Sequence, residues 1–251
     1  IISEKNKNIL FSLSDKMNLS HVEHKNYIGG RYSVLSEVGM LPAYLMGLNI
    51  KKIRKNLLIN FKLKNKAFLK ESSTIFASLF LQKRYNNLIL LNYAPKLNKF
   101  LFWYQQLLAE SLGKKSKGFL PVVSSAPKDH HSLLQLYMDG PKDKLFYIFS
   151  EIKKKDKVVK TMKLNSNINF LNNKKLIDIK LAQKNALIYA LKKANIPFRE
   201  IKIKNFSEET LGQLFSYFIL ETALIGMIVN VNPFDQPAVE QVKINTKKFL
   251  K

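Results

Sequence analysis

The feature that most constrains the fold is a regular alternation of short apolar runs with longer helical patterns. The runs at 88–91, 119–123, 144–152 and 199–203 have the length and composition of strands, and a shorter one lies at 19–23. Helices are predicted at 41–48, 68–81, 95–112, 131–137, 176–194 and 208–229. Such alternation indicates a three-layer α/β fold with a mostly parallel sheet.

Composition narrows the functional classes. A chain of 251 residues that is 46% hydrophobic can bury a core in one or two domains. It has no cysteine, which excludes a disulfide, a thiolate metal site and a cysteine nucleophile and favours a reducing, cytoplasmic location. The apolar stretch 214–231 approaches the length of a membrane span, but Glu221 in its middle favours a buried core helix. We therefore predict no membrane association.

The net charge of +24 is large but carries little functional information. Only four of the 42 basic residues are arginine, and the lysines are scattered along the chain. Nucleic-acid-binding proteins concentrate charge on one face and use arginine for forked contacts. The pattern favours a solvated lysine surface over a nucleic-acid site, although a positive field also attracts anionic metabolites.

Two polar motifs lie in the first half of the chain. Gly29 and Gly30 precede Arg31 in the motif Gly-Gly-Arg-Tyr-Ser-Val-Leu-Ser at 29–36; glycines allow close backbone approach to a ligand, and the arginine suits an oxyanion. In Gln-Gln-Leu-Leu-Ala-Glu-Ser-Leu-Gly-Lys at 105–114, Gln106 and Glu110 share a helical face. The helix dipole disfavours an ionised carboxylate in a last turn, which suits a proton-transferring group. Taken alone, each motif also fits a turn or an exposed helix end.

A third motif, Asp-His-His-Ser-Leu-Leu-Gln at 129–135, follows a predicted strand, the usual place for ligand groups in an open α/β sheet. Adjacent histidines point in different directions, so we predict no metal site there. His24 is interpreted as a structural residue beside the glycines, and Asp129 or Ser132 as a cap of the next helix.

The fourth motif is the tail, Asn-Pro-Phe-Asp-Gln-Pro-Ala-Val-Glu-Gln-Val-Lys at 232–243. Pro233 and Pro237 each remove a backbone donor and argue against an uninterrupted helix. The mixture of prolines, aromatic and polar residues predicts a shaped turn that places Gln236, Glu240 or Lys243 at a site.

In this order and spacing, the four motifs resemble the glucose-6-phosphate isomerase family over nearly the whole chain. The resemblance implies a sugar-isomerase (SIS) fold and a reversible isomerisation of glucose 6-phosphate to fructose 6-phosphate through a cis-enediolate, without a metal or organic cofactor. It implies that Glu110 is the base, that Arg31 stabilises the enediolate, and that His131 and Lys243 open the sugar ring. The substrate-binding residues would be Gly30, Arg31, Gln106, Glu110, His131, Gln236 and Lys243.

The same resemblance implies an arrangement of domains and partners. Residues 1–83 would be the later part of the first sugar-isomerase domain, and residues 84–251 the second. The Ser/Thr-rich phosphate loop of the family would lie upstream of Ile1, so these 251 residues alone would bind sugar phosphate weakly and show little activity. The family works as a homodimer, in which His131 would serve the neighbouring subunit's site.

The chain departs from the family pattern at two positions. Ala238 replaces the usual glycine of the tail, so the turn must accept a Cβ, and His130 replaces the usual glutamine before the histidine.

Two other functional classes stay open. One is a bifunctional glucose/mannose phosphate isomerase, which would share the Arg31 and Glu110 chemistry. The other is a non-catalytic sugar-phosphate-binding module, which would not need Glu110, His131 or Lys243.

Overall fold

A computed structural model of the chain describes residues 1–6, 8–152, 156–161 and 166–250. The chain forms two compact units. Unit 1 comprises Ile1–Leu81, Gln106–Gly118 and Ser207–Lys251, and unit 2 comprises Gln82–Gln105 and Phe119–Phe206. The predicted domain boundary after residue 83 falls close to the end of the first segment. The two later segments of unit 1, however, come from the part of the chain assigned to the second domain.

Unit 2 contains four strands, which are β3 (Asn87–Asn92), β4 (Leu120–Ser125), β5 (Lys144–Glu151) and β6 (Phe198–Ile203). They form one parallel sheet with the strand order β4-β3-β5-β6. The helices that follow β3, β4 and β5 are α5 (Asn98–Leu112), α6 (Leu134–Asp139) and α7 (Leu176–Lys193). Parallel strands require such crossovers, and the predicted α/β class is confirmed.

The core of unit 2 lies where α7 packs on the sheet. Its buried members include Ile89 and Leu91 of β3, Phe146 of β5, and Leu187 and Leu191 of α7. All residues of β5 are buried, as expected for a strand with neighbours on both sides.

Unit 1 is mainly helical. Its short parallel strands are β1 (Ile2–Ser3) and β2 (Val22–Glu23). Its helices are α1 (Ile9–Lys16), α2 (Glu37–Leu45), α3 (Ile50–Arg54), α4 (Leu63–Leu81), the end of α5, α8 (Glu208–Ile228) and α9 (Pro237–Phe249). Gly212 lets α8 approach α3 closely, since a Cβ there would lie 1.8 Å from the Ile53 carbonyl oxygen.

Helix α8 is long and apolar enough to cross a membrane by length and composition. The same helix carries buried Glu221, whose carboxylate accepts hydrogen bonds from Ser72 and Tyr217. These contacts fit the predicted core helix.

Several predicted boundaries shift by a few residues, and the described part of the chain contains three α-helices that the sequence patterns do not indicate. Helix α2 begins at Glu37 rather than at 41, because the Ser36 hydroxyl caps it at the Val38 N–H and Pro42 is accommodated inside. Helix α6 begins at Leu134 rather than at 131, because residues 128–130 first form a 3₁₀ turn.

Helices α1 and α3 are too short to give a clear periodic pattern. Helix α9 begins at Pro237, where a breaker was expected, because proline is favourable at a first helical position.

Candidate active site

The centre of the candidate site is the guanidinium of Arg31, whose side chain is only 1% exposed. Arg31 lies in a 3₁₀ segment, Gly30–Leu35, that leads directly into α2. Its neighbour Gly30 has open space around it, since a Cβ there would meet nothing within 4 Å. The motif therefore buries its arginine while leaving the adjacent backbone accessible.

Each of the guanidinium nitrogens of Arg31 bonds to a residue of unit 1. Nη1 donates to Gln236 Oε1 at 2.6 Å and to Glu110 Oε2 at 3.4 Å, and Nε donates to Ser111 Oγ at 2.8 Å. Nη2 donates to the backbone carbonyls of Pro233 at 2.7 Å and Asp235 at 2.9 Å. These contacts match all five N–H donors of a guanidinium, so its orientation is fully specified.

Glu110 lies in the last turn of α5, as predicted, with one oxygen toward each of two donors. Gln106, one turn earlier, donates its amide to Glu110 Oε1 at 3.0 Å, while Arg31 approaches Oε2. The Glu110 side chain is 30% exposed. A half-buried carboxylate held between an amide and a guanidinium is oriented and still accessible, which a general base requires.

The tail forms the predicted turn before α9 begins. Asn232 Oδ1 accepts the Phe234 N–H at 3.0 Å, and Lys114 Nζ donates to the carbonyls of Asn232 and Asp235 and to the Asp235 carboxylate. The Lys114 hydrogen bond lowers the pKa of Asp235 below its usual value. Two cations, Lys114 and Arg31, thus fix this turn through its carbonyl oxygens.

Helix α9 carries the remaining tail residues. Lys243 lies about two turns after Gln236, on the exposed part of α9. Ala238 occupies the first turn of the helix and is exposed, so the extra Cβ of this departure is accommodated.

The histidine motif belongs to unit 2 and is organised by local contacts. Asp129 accepts hydrogen bonds from Ser124 Oγ at 2.9 Å and from the Ser125 N–H at 2.7 Å, and so ties the turn to the end of β4. Neither Asp129 nor Ser132 caps α6, contrary to the prediction. The Asp129 carboxylate instead accepts the hydrogen bonds from Ser124 and Ser125, and the helix begins only at Leu134. His131 follows the turn and is exposed.

The departure at His130 is explained by its partner Tyr93. The Tyr93 hydroxyl lies 2.5 Å from His130 Nε2, and the two rings meet edge to face. Burial lowers the pKa of His130, as does the neighbouring His131, and burial raises the pKa of Tyr93. A neutral imidazole that accepts the tyrosine hydroxyl is the consistent arrangement.

The structure brings together Arg31, Glu110, Gln106 and Gln236 in one network. His24 has the structural role predicted for it, bonded to the Glu37 carboxylate and to the Ile28 carbonyl. Sequence reasoning missed Tyr32, Ser111 and Lys114 as members of the site, although all three stand inside the quoted motifs. In the described part of the chain, no group of three His, Asp or Glu side chains is placed to hold a metal ion.

The chain is similar to known proteins over nearly its whole length. The family model for phosphoglucose isomerase matches residues 11–251, which include all four motifs. The chain belongs to the phosphoglucose isomerase family. A glucose-6-phosphate isomerase of Mycoplasmopsis synoviae is 34% identical over 257 residues, which cover 97% of this chain and 58% of the relative.

Solved structures show the same fold. A hypothetical protein of Thermus thermophilus superposes with a TM-score of 0.88 at 25% identity, covering 99% of this chain and 62% of that one. A glucose-6-phosphate isomerase of Chlamydia trachomatis has a TM-score of 0.75 at 17% identity, covering 99% and 52%. The chain thus spans about three fifths of the length of the phosphoglucose isomerases that it matches.

Proposed function

We propose that the complete protein interconverts glucose 6-phosphate and fructose 6-phosphate through a cis-enediolate. The observation that carries this proposal is the network in which Arg31 contacts Glu110 and Gln236, residues that lie 79 and 205 positions away. Membership in the phosphoglucose isomerase family and relatives named glucose-6-phosphate isomerase support the same activity.

In this mechanism, Glu110 removes the proton from C2 of the open-chain aldose and then delivers a proton to C1, while the hydroxyl proton on O2 passes to O1 of the cis-enediolate, which gives the ketose. The electron pair of the broken C–H bond moves into the enediolate, whose oxygens carry the negative charge. When Glu110 gains the proton it becomes neutral, and the charge that faces Arg31 passes to the substrate. Arg31 Nη1, whose contact with Glu110 is its longest at 3.4 Å, is the donor best placed to follow that charge.

Gln106 and Gln236 would orient the substrate and the base. Gln106 already holds one oxygen of Glu110, which leaves the other to face Arg31. Gln236 presents its carbonyl oxygen to Arg31, so its amide nitrogen remains available for a sugar hydroxyl. Backbone at Gly30, with open space beside it, would line the same site.

Ring opening and assembly complete the proposal. His131 and Lys243 would exchange a proton with the ring oxygen and the anomeric hydroxyl, and the exposure of both side chains supports their access to substrate.

The working unit would be a homodimer in which His131 serves the site of the second copy. The protein would act in the cytoplasm, where sugar phosphates are formed and consumed, without a metal or organic cofactor.

The test is a coupled assay of the complete protein with fructose 6-phosphate, in which glucose 6-phosphate formation is followed continuously. We expect turnover that Glu110→Gln removes. Equal turnover of mannose 6-phosphate would favour the bifunctional alternative, and binding of fructose 6-phosphate without turnover would favour a non-catalytic module.

A further inference from the structure

Two hydroxyl groups connect the Arg31 guanidinium to the tail turn. Ser111 Oγ lies 2.8 Å from Arg31 Nε and 2.8 Å from the Tyr32 hydroxyl, which in turn lies 2.9 Å from the Pro233 carbonyl oxygen. Ser111 is completely buried, and Tyr32 is partly buried. Neither side chain has a role in the proton transfer described above.

The direction of each hydrogen bond follows from counting protons. The Pro233 carbonyl can only accept, so Tyr32 donates its single hydroxyl proton there. Ser111 must then donate to the Tyr32 oxygen, and it accepts the N–H of Arg31 Nε. The result is one continuous chain of donors from the guanidinium to the tail.

This chain closes on itself. Pro233 O also accepts from Arg31 Nη2 at 2.7 Å, so both ends of the hydroxyl chain meet the same guanidinium. Burial raises the pKa of Tyr32 above its usual value, so its hydroxyl remains a donor throughout the neutral range. A closed, fully satisfied ring of this kind holds a single orientation, because any rotation leaves a buried polar atom unpaired.

We propose that Ser111 and Tyr32 are positioning residues that fix the rotation of the Arg31 guanidinium, so that Nη1 faces Glu110 and the developing enediolate. The proposal rests on the function proposed above and identifies a second layer of the same site. Ser111 directly follows Glu110 in α5. The same helix turn therefore supplies the proposed base, Glu110, and the hydroxyl that orients the Arg31 guanidinium.

The two hydroxyls differ in what their loss would do. Without Ser111, Nε loses its acceptor, and the orientation of the guanidinium is set only by its Nη1 and Nη2 contacts. Without the Tyr32 hydroxyl, Ser111 loses only the partner that directs its proton. We therefore expect Ser111→Ala to have the larger effect and Tyr32→Phe, which keeps the ring, to have the smaller one.

The experiment measures kcat and KM for fructose 6-phosphate with variants of the complete protein. We expect kcat to fall up to about 10²-fold in Ser111→Ala, as for a misplaced catalytic group, and about tenfold in Tyr32→Phe. KM should change less than about threefold in both, because the lost interaction acts mainly in the transition state. A merely structural role would lower the melting temperature and leave kcat unchanged.

Matched controls remove the same chemical groups elsewhere in unit 1. Ser73 is completely buried and donates to the Leu69 carbonyl at 2.8 Å, and the Tyr217 hydroxyl bonds to Glu221 at 2.8 Å. Ser73→Ala and Tyr217→Phe should therefore reduce thermal stability while kcat stays near the wild-type value. Equal losses of kcat in test and control variants would overturn the positioning role.

A double-mutant cycle with Arg31→Lys identifies the path of the effect. Lysine has no Nε–H, so Tyr32→Phe should reduce kcat little further in the Arg31→Lys background. Additive losses would mean that Tyr32 acts independently of Arg31, and the proposal would be wrong. A wild-type protein without isomerase activity would instead overturn the proposed function itself, so the two failures are distinguishable.

Discussion

In unit 1 the motif residues bond to one another across long stretches of sequence, whereas in unit 2 the histidine motif bonds to neighbouring strand ends. Arg31 joins three of the four motifs through Glu110, Ser111 and Gln236. The histidine turn is held by Asp129 at the end of β4 and by the contact of His130 with Tyr93. His131, the residue with a proposed chemical role there, is exposed.

In the proposed mechanism, this difference corresponds to two steps with different requirements. Glu110 and Arg31 are oriented before substrate binds, which suits a step in which charge develops and must be stabilised at once. His131 is placed by its backbone turn while its side chain stays accessible, which suits contact with a sugar ring that arrives from solvent. Proton transfer should therefore depend on the unit 1 network, and ring opening on the histidine turn.

The largest expected effect is that of Glu110→Gln, which tests the unit 1 side of the comparison. The amide keeps the shape and accepts from Gln106, but it cannot carry a proton. We expect kcat to fall by at least about 10²–10⁴-fold, with substrate affinity largely retained. Near-normal turnover of the complete protein would remove Glu110 from the mechanism.

A somewhat smaller loss is expected for Arg31→Lys. Lysine keeps the positive charge but cannot reproduce the forked contacts with Gln236, Ser111 and the tail carbonyls. We expect kcat to fall about 10²–10³-fold, together with a lower melting temperature. The control is Arg54→Lys, because Arg54 is exposed and bonds the Leu35 carbonyl at 3.3 Å. An equal loss in both variants would contradict a specific role for Arg31.

The histidine turn should give a selective effect. His131→Asn should lower turnover of the cyclic sugar more than turnover of an open-chain analogue, because the proposed role precedes enediolate formation. His130→Gln is the matched control, since glutamine can still accept the Tyr93 hydroxyl and should preserve most activity. Equal losses of His131→Asn on both substrates would remove the ring-opening assignment.

The smallest effect concerns the pH dependence of the tail turn. Because Lys114 lowers the pKa of Asp235, the ionised carboxylate contributes stability that is fully present above about pH 4. That contribution is lost as the pH falls below this value through the lowered pKa. The melting temperatures of wild type and Asp235→Asn should therefore converge on acidification. A difference that stays constant from pH 7 to pH 3 would rule out this ion pair as its source.

Much of the fold was readable from the sequence because it depends on local patterns. Strands β3, β4 and β5 of unit 2 are rich in apolar residues, whereas β6 combines apolar with charged residues, and the predicted bounds of all four agree with the structure to within two residues. The predicted face shared by Gln106 and Glu110 is confirmed by their hydrogen bond. Helix α9 was not predicted, since a proline that begins a helix and one that ends it look alike without the backbone.

The network around Arg31 was beyond the sequence for a different reason. Two of its acceptors are the backbone carbonyls of Pro233 and Asp235. Every residue has a backbone carbonyl, so the residue type does not indicate which carbonyls bind the arginine. The Ser111 hydroxyl reaches Arg31 across 80 positions, and a buried serine in a helix gives no signal of such a contact. Unit 1 is likewise assembled from three separate segments of the chain, and no local pattern indicates which distant segments pack together.

The most direct test of the central claim, that Glu110 moves a proton between C1 and C2, is the incorporation of deuterium from solvent. The complete protein would be incubated with fructose 6-phosphate in D₂O, and deuterium bound to carbon would be followed by mass spectrometry. We expect deuterium at C2 of the glucose 6-phosphate formed by the wild type, and none above the uncatalysed background with Glu110→Gln. Undiminished incorporation by Glu110→Gln, or deuterium at a carbon other than C1 or C2 in the wild-type product, would contradict the mechanism.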